Sequence, residues 1–324
     1  MSEPPRRLSG DDVRRAREVL RAHLPPTPLR RSFALRSRDA YLKLECWQPT
    51  GSFKVRGALH ILSSLTPAER DRGIVAASAG NHALGVAFAA QALGGRLSAT
   101  VFVPVTAPRS KVEKLRDFPI DVREVGATYD EAYAAAMRLV RSTGATYVHA
   151  YDDPRTAAGQ GTVGAEILEQ LPGVGAIVVP CGGGGLIAGI AAYVKEVAPS
   201  VQIVAVQPEV SPSLRESLRR GEALHEYESG PTVSDGIAGG IGDIVFAHRD
   251  LIDQVVEVSE AETEEAMVSL LIDDQVVSEG SGAVGVAAVR SGKVAPPGGR
   301  PVAVVVTGGN VDASVLRRLL RDRG

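Results

Sequence analysis

Short apolar runs alternate with longer helix-like segments through most of this 324-residue chain. The runs that are typical of buried strands lie at residues 73–77, 98–103, 121–125, 146–149, 176–179, 202–206 and 302–306. Segments with helical spacing, such as 81–93 and 186–197, separate them. This alternation is typical of parallel sheets with helices packed on their faces. The sequence therefore predicts an α/β fold with open parallel sheets and flanking helices.

Composition and charge indicate a globular protein that acts on small molecules. The chain is 44% hydrophobic, and its 36 basic and 38 acidic residues are well mixed, with a formal net charge of −2. A surface without a basic face gives no support for binding nucleic acid or anionic lipid. No stretch approaches about 18 consecutive apolar residues, so no membrane span is expected. We expect a small-molecule substrate, with no nucleic-acid and no membrane partner.

Cysteine occurs twice, at Cys46 and Cys181, and no signal-type apolar run precedes the first helix. Two isolated cysteines do not form a disulfide framework or a metal-binding pattern. We therefore expect a cytoplasmic protein with reduced thiols.

Lys54 lies in the segment 51–57, which reads Gly-Ser-Phe-Lys-Val-Arg-Gly and opens an apolar-periodic run. Its amine is expected on the first turn of a helix that packs inward. Partial desolvation and the positive end of the helix dipole both favour the neutral amine. A neutral lysine can form a Schiff base. The alternative is a surface lysine whose stem packs along apolar neighbours.

The segment 181–186, Cys-Gly-Gly-Gly-Gly-Leu, connects an apolar strand to an apolar helix. Successive glycine N–H groups can converge on an anion, and the helix dipole adds to this attraction. Packing alone would explain one or two glycines, whereas four in succession favour a ligand. The pattern also fits a dinucleotide site with Glu209 near the ribose, although a lone match is weak. A single phosphate is the third interpretation, and it gains support from Lys54.

A third strand-to-helix turn, at residues 77–82, reads Ala-Ser-Ala-Gly-Asn-His. Ser78 or Asn81 could simply cap the helix. A substrate carboxylate would use the same hydroxyl, amide and backbone donors. His82 could equally be a structural histidine, and we assign it no catalytic role.

Five further motifs accompany these segments along the chain. They read Tyr-Asp-Asp-Pro at 151–154, Ala-Gly-Gln-Gly-Thr at 158–162, Ser-Asp-Gly at 234–236, Ser-Glu-Gly-Ser-Gly at 278–282 and Thr-Gly-Gly-Asn at 307–310. The set resembles the fold type II pyridoxal-phosphate enzymes, and within them the threonine/serine dehydratases and serine racemases. The resemblance implies a tryptophan synthase β-like fold and a homodimer. It also implies a large cofactor-binding domain (1–67 and 152–324), a small substrate-carboxylate domain (68–151) and no C-terminal regulatory domain.

The resemblance also implies roles for single residues around pyridoxal 5'-phosphate. Lys54 would hold the cofactor covalently, with Phe53 against the pyridine ring, Asn81 near the phenolic oxygen and Thr307 facing the pyridine nitrogen. The phosphate would be bound by Gly182, Gly183, Gly184, Gly185 and Leu186. The substrate carboxylate would be held by Ser78, Ala79, Gly80, Asn81 and His82.

The implied reaction is β-elimination of a β-hydroxy amino acid, such as L-threonine or L-serine, to a 2-oxo acid and ammonia. Lys54 would remove the α-proton. Serine racemase is the alternative, but similar racemases carry a second serine after the first, whereas Ala79 follows Ser78 here. Alanine cannot carry a proton, so the dehydratase is preferred. Hydroxyaspartate or a specialised hydroxy amino acid stays open as the substrate, and a non-catalytic binder would not need the lysine.

Three further features concern a possible metal site, the active-site crevice and substrate selection. Some relatives bind a divalent cation through acidic residues after the strand ending near 206, but Gln207 and Ser213 stand where acids would be expected, so no metal is predicted. Glu279 is expected in the active-site crevice, with its role open. The glycine-rich loop 221–242 is long for a compact domain, and we expect it to carry residues that select the substrate.

Overall fold

The computed structural model describes residues 6–35, 39–94, 97–107, 109–295 and 297–321. The strands in these ranges are β1 Leu29–Arg31, β2 Ala40–Leu44, β3 Ile74–Ala77, β4 Ala99–Val103, β5 Asp121–Glu124, β6 Thr146–Tyr147, β7 Ala176–Pro180, β8 Gln202–Pro208, β9 Gln254–Val258 and β10 Val302–Val306. The α-helices are α1 Gly10–Leu20, α2 Lys54–Ser63, α3 Pro67–Arg72, α4 Asn81–Ala92, α5 Arg109–Arg116, α6 Tyr129–Thr143, α7 Pro154–Gln170, α8 Gly185–Val197, α9 Ser213–Arg220, α10 Asp243–Ala247, α11 Glu260–Asp273, α12 Gly280–Arg290 and α13 Ala313–Arg321.

The larger sheet has the strand order β1-β2-β10-β7-β8-β9. Its pairings are parallel except at one edge, where β1 runs antiparallel to β2 and pairs Leu29 with Lys43. The sequence pattern did not predict β1, because a three-residue strand directly after a proline cluster is too short to show a period. The predicted parallel α/β fold is confirmed, with this antiparallel edge strand added.

The smaller sheet has the order β5-β4-β3-β6, and its three pairings are all parallel. Its strands lie between residues 74 and 147, within the range proposed for the small domain. The two flanking parts of the chain build the larger sheet. The domain limits at 67/68 and 151/152 remain our interpretation of this topology.

Helices cover both faces of the larger sheet. Helices α7 and α8 bury one face together with Ile177 and Val179, whereas α11 and α12 bury the other with Val178 and Val304. Helices α7 and α8 come very close where two glycines meet, since a Cβ at Gly161 would lie 2.6 Å from the Gly189 carbonyl oxygen. These tightly packed layers give the site a rigid base.

Helix α2, which begins at Lys54, packs between the two sheets' helices. On one side a Cβ at Gly85 of α4 would lie 3.0 Å from the Lys54 backbone, and on the other a Cβ at Gly159 of α7 would lie 2.8 Å from the Arg56 carbonyl oxygen. Substituting either glycine would push α2 away from its neighbour. The start of α2 is therefore fixed relative to both parts of the molecule.

Within the described ranges, no helix is both long enough and apolar enough to cross a membrane.

Candidate active site

A cavity of about 1140 Å³ opens at the carboxyl ends of β3, β7 and β10. Open parallel sheets bind ligands at this edge. The cavity brings together most of the residues singled out in the sequence, which are Phe53, Lys54, Ser78, Gly80, Asn81, His82, Gly182, Gly183, Gly184, Gly185, Leu186 and Thr307. Ala79 is the exception, since it packs against the apolar core around α2 and α4 instead of lining the cavity.

Lys54 is half-buried in the cavity wall. Its Nζ donates a hydrogen bond to the Ala150 carbonyl oxygen at 3.0 Å and lies 5.1 Å from the centre of the Phe53 ring. Burial lowers the pKa of this amine to about 8, although nearby Glu279 acts in the opposite direction. A substantial fraction of the amine is thus neutral near physiological pH, as a nucleophile or base requires.

Backbone contacts hold the start of α2 against the end of β10. The Phe53 N–H donates to the Thr307 carbonyl oxygen at 3.1 Å, and the Gly309 N–H donates to the Gly51 carbonyl oxygen at 2.9 Å. No side chain caps α2, so these contacts and its packing fix the position of Lys54.

Buried charges anchor the same helix from behind. The Arg56 guanidinium makes two hydrogen bonds to Glu45, both at 2.7 Å, and two to Glu166, at 2.6 and 2.8 Å. Lys43 also pairs with Glu166. Burial opposes ionisation of Glu45, but Arg56 outweighs it and lowers the pKa of the carboxyl to about 2. Two basic and two acidic side chains are therefore paired in the interior.

The glycine loop is closely packed against Tyr151, Ile237 and Val245. Added Cβ atoms at Gly183 and Gly184 would lie 2.4 Å from the Tyr151 ring and 2.3 Å from Val245, and those at Gly182 and Gly185 would lie within 2.7 Å of other atoms. Packing thus requires all four glycines. Because packing alone accounts for four glycines in succession, their number does not by itself indicate a ligand, and the evidence for a phosphate must come from elsewhere.

That evidence is the free N-terminus of α8. Gly184 adopts a left-handed conformation (φ +87°) at the cap position, and no side chain caps the helix. The first N–H groups of a helix need acceptors, and a phosphate in the cavity would supply them together with favourable interaction with the helix dipole.

The N-terminus of α4 faces the same cavity. Its cap residue is Gly80, and no side chain caps it. The Ser78 hydroxyl accepts from the Gly80 N–H at 3.1 Å instead, and the Asn81 side chain points elsewhere. Neither residue therefore caps the helix, which leaves its donors available for a carboxylate. His82 is buried, bonds the Val148 carbonyl oxygen at 2.8 Å and has a pKa lowered by burial to about 3, so it is neutral.

Two side-chain amides link Asn310 through Asn81 to Glu279. Asn81 Nδ2 donates to Glu279 Oε1 at 2.7 Å, and Asn310 Nδ2 donates to Asn81 Oδ1 at 2.7 Å. Burial raises the pKa of Glu279 to about 7, although the hydrogen bond from Asn81 favours the carboxylate. Asn81 Nδ2 keeps a second hydrogen for a ligand, so its implied role at the phenolic oxygen is compatible with this network.

Two hydroxyl groups lie at the far end of the cavity. Thr307 Oγ1 makes a long hydrogen bond of 3.4 Å to the Ser281 carbonyl oxygen, and the buried Ser281 Oγ has no hydrogen-bond partner among the described residues. A weakly bonded hydroxyl can turn to an acceptor such as a pyridine nitrogen. The cavity thus offers an amine, an uncapped helix end, an amide and a hydroxyl, and this donor set fits the four polar groups of pyridoxal phosphate.

Comparison with known proteins agrees with this fit. The family model described as "Pyridoxal-phosphate dependent enzyme" matches residues 20–308. An L-threonine ammonia-lyase from Thermotoga maritima is 45% identical over 96% of this chain and 77% of its own. The chain therefore belongs to the family of pyridoxal-phosphate-dependent enzymes, and its cofactor is pyridoxal phosphate.

Solved structures show the same fold. Maize serine racemase superposes with a TM-score of 0.89 at 31% identity, covering 98% of both chains. The processed form of threonine deaminase isoform 2 from Solanum lycopersicum gives a TM-score of 0.88 at 33% identity, covering 98% of this chain and 90% of the other.

Several cavity residues were not assigned from the sequence. Asn310 holds Asn81 in place, Tyr151 packs behind the glycine loop, and Lys111, Lys114 and Tyr129 reach the cavity from α5 and α6. Asn310 and Tyr151 stood within quoted motifs, so their proximity could have been inferred. The residues of α5 and α6 carry no local pattern, because only the docking of the small sheet brings them to the cavity.

Both cysteines are free and buried, and burial raises the pKa of each thiol to about 12. Cys181 directly precedes the glycine loop but points into the core beneath it. No group of three or more potential metal-ligating His, Cys, Asp or Glu side chains occurs in the part of the chain that the structure describes.

Proposed function

We propose that this protein is an ammonia-lyase that removes water and ammonia from a β-hydroxy amino acid, with L-threonine as the leading substrate and L-serine next. The supporting observation is the half-buried Lys54, whose amine pKa is lowered to about 8 in a cavity that offers two uncapped helix N-termini. The high similarity to an L-threonine ammonia-lyase over most of both chains favours threonine.

Different residues of the cavity bind the substrate, bind the cofactor and transfer the proton. Pyridoxal phosphate, when bound, withdraws electrons from the substrate's α-carbon. The donors at Ser78, Gly80 and Asn81 hold the substrate carboxylate, and the α8 N-terminus with the glycine loop holds the cofactor phosphate. Lys54 would hold the cofactor covalently until the substrate amine displaces it, and its freed neutral amine would then take the α-proton.

Elimination then follows from this proton removal. The bond from the β-carbon to its hydroxyl breaks, and the leaving hydroxide takes up one proton to form water, which balances the α-proton taken by Lys54. The released enamine reacts with water to give a 2-oxo acid and ammonia. Thr307 presents a neutral hydroxyl and not a carboxylate to the pyridine nitrogen, so it would not stabilise the protonated form of that nitrogen. The weaker electron sink that results favours prompt loss of the β-hydroxyl over reactions that need a stronger one.

Racemisation is the second candidate, because maize serine racemase shares the whole fold. It would need a proton donor on the face of the substrate opposite Lys54. The residue after Ser78 is Ala79, which has no proton to give and does not line the cavity. This difference places racemisation second.

The test is release of 2-oxo acid by the cofactor-loaded enzyme from L-threonine, L-serine and 3-hydroxyaspartate, with chiral analysis of the remaining substrate. We expect 2-oxobutanoate from L-threonine without D-enantiomer, and loss of turnover in Lys54→Ala. Accumulation of D-serine would support the racemase instead. Turnover retained in Lys54→Ala would contradict the role of the lysine.

A homodimer and a cytoplasmic location are also proposed, the first from the resemblance and the second from the two free cysteines. Size-exclusion chromatography with light scattering would test the first, and a monomer at micromolar concentration would contradict it.

A further inference from the structure

The side-chain amide of Gln207 is fully buried where β8 leads toward α9. Its Nε2 donates to the Cys181 carbonyl oxygen at 3.1 Å and to Ser213 Oγ at 3.3 Å. Its Oε1 accepts from the N–H groups of Leu214 and Arg215 at 3.0 and 3.3 Å. Both donors and both acceptors of the amide are therefore used, which fixes its orientation.

These bonds connect two functional elements. Cys181 begins the phosphate loop, which we define as residues 181–185. Leu214 and Arg215 lie in the first turn of α9, whose cap residue, Pro212, has no side-chain acceptor. Gln207 thus supplies from a distance the acceptor that a capping side chain normally provides. The same amide holds the phosphate loop and the start of α9.

From α9 the hydrogen bonds continue into the loop 221–242, which we call the rim loop. Ser217 Oγ accepts from the Leu224 N–H at 3.1 Å, and the Leu224 carbonyl oxygen accepts from the Ile241 N–H at 2.8 Å. The next residue, Gly242, donates its N–H to the Gly183 carbonyl oxygen at 3.0 Å. The path therefore returns to the phosphate loop and forms a closed ring.

The two ends of the rim loop are packed closely together. A Cβ at Gly240 would lie 2.0 Å from the His225 carbonyl oxygen. Between these ends, residues 225–228 line the cavity and Glu226 and Glu228 are exposed. A shift at either end therefore moves the side chains at the mouth of the cavity.

We propose that Gln207 is a positioning residue that couples the phosphate loop to the rim loop, so that a bound cofactor phosphate orders the mouth of the cavity. This inference rests on the phosphate site of the proposed function and not on the reaction. If Gln207 lost its donor to Cys181, the phosphate loop would lose a fixed carbonyl and the ring would open at that point.

The test uses the holoenzyme and the isosteric variant Gln207→Glu. This change keeps the acceptor for Leu214 and Arg215 but replaces the donor to Cys181 with an oxygen that repels the carbonyl. Two rates are measured: cofactor release into buffer, followed by absorbance, and cleavage after Glu226 and Glu228 by a glutamyl endopeptidase. We expect both rates to rise about tenfold or more. Gln202→Glu, at the exposed start of the same strand, is the matched control and should change neither rate by more than about twofold.

A second variant keeps the inference testable if Gln207→Glu does not fold. Ser217→Ala breaks the ring between α9 and the rim loop without touching the phosphate loop. We expect faster rim-loop cleavage and also faster cofactor release, about threefold each, because the two ends are coupled.

Three results would overturn the inference. One is cofactor release that accelerates while rim-loop cleavage stays unchanged, and another is no change in either rate. The third is an equal rise in cleavage after Glu18 in α1, since that would indicate general unfolding. Activity enters none of these readouts, so failure of the proposed reaction would leave them interpretable.

Discussion

At the scale of single residues, burial sets the chemistry of Lys54 more than any hydrogen bond. Among the described residues, the hydrogen-bond partner of its Nζ is the Ala150 carbonyl oxygen, which accepts more strongly from an ammonium than from an amine and so cannot be what lowers the pKa. Burial disfavours the charged form, while Glu279 favours it, and the lower pKa of about 8 shows that burial dominates.

The pH dependence of cofactor attachment follows from this pKa. Because the neutral amine reacts, the rate at which the apoprotein binds pyridoxal phosphate covalently should rise with pH and level off just above about pH 8, well below the range of an ordinary lysine. Stopped-flow absorbance measures this rate. In Glu279→Gln the group that raises the lysine pKa is gone, so the profile should shift to lower pH. A rate still rising at pH 10 would contradict the assignment.

Glu279 should affect stability in a pH-dependent way. Its pKa in the folded protein is about 7, above the ordinary value of 4.5, so the folded state binds the proton more tightly than the unfolded chain. The stability from this proton is present below pH 4.5 and is lost as the pH rises through 7. Glu279→Gln should therefore raise the free energy of unfolding at pH 8 by about 1–3 kcal/mol and change it little at pH 4.5.

Urea denaturation of the apoprotein at the two pH values measures this difference. A variant that is equally stable relative to wild type at both would show that Glu279 titrates normally.

At the scale of elements, α2 depends on an anchor in the interior. Arg56→Met would leave Glu45 and Glu166 with only Lys43 as a buried counter-ion, which should cost about 3–5 kcal/mol of unfolding free energy. Arg56→Lys keeps the charge but loses the paired geometry, so a smaller loss is expected. Urea denaturation measures both. Removing Arg219 from its exposed pair with Glu216 is the control and should cost under about 1 kcal/mol.

Because α2 begins at Lys54, the arginine variants should also make the position of the Lys54 side chain less fixed. If Arg56→Met were as stable as wild type, the buried ion cluster would not anchor the helix.

The elements also show what local sequence could predict. The capping box at Ser259 and Glu262 and the apolar periods of β7, α8 and β10 depend on neighbours in the chain, and the structure has them at the expected places. Helix α9 was not predicted, since its start is capped by Gln207 rather than by a local residue. A cap supplied by a residue elsewhere in the chain leaves no capping signal in the local sequence.

At the scale of the whole molecule, the sequence predicted which loops meet but not how they are held. The predicted strands placed the glycine loop and the Ser78 turn at one edge, because carboxyl ends of parallel strands share it, and the resemblance added Lys54 to this site. The steric role of the four glycines, the amide chain from Asn310 to Glu279 and the position of Ala79 outside the cavity depend on packing between distant segments. Such packing becomes visible only in three dimensions.

The two buried thiols have a consequence for how the molecule can be studied. A thiol reacts as its thiolate, and with a pKa of about 12 and little access to solvent neither Cys46 nor Cys181 can react while the surrounding structure stays closed. Any alkylation must follow a local opening. Cys181 begins the phosphate loop, whereas Cys46 directly follows β2 of the larger sheet. The alkylation rate of Cys181 should therefore report local opening at the cofactor site, and that of Cys46 local opening of the scaffold.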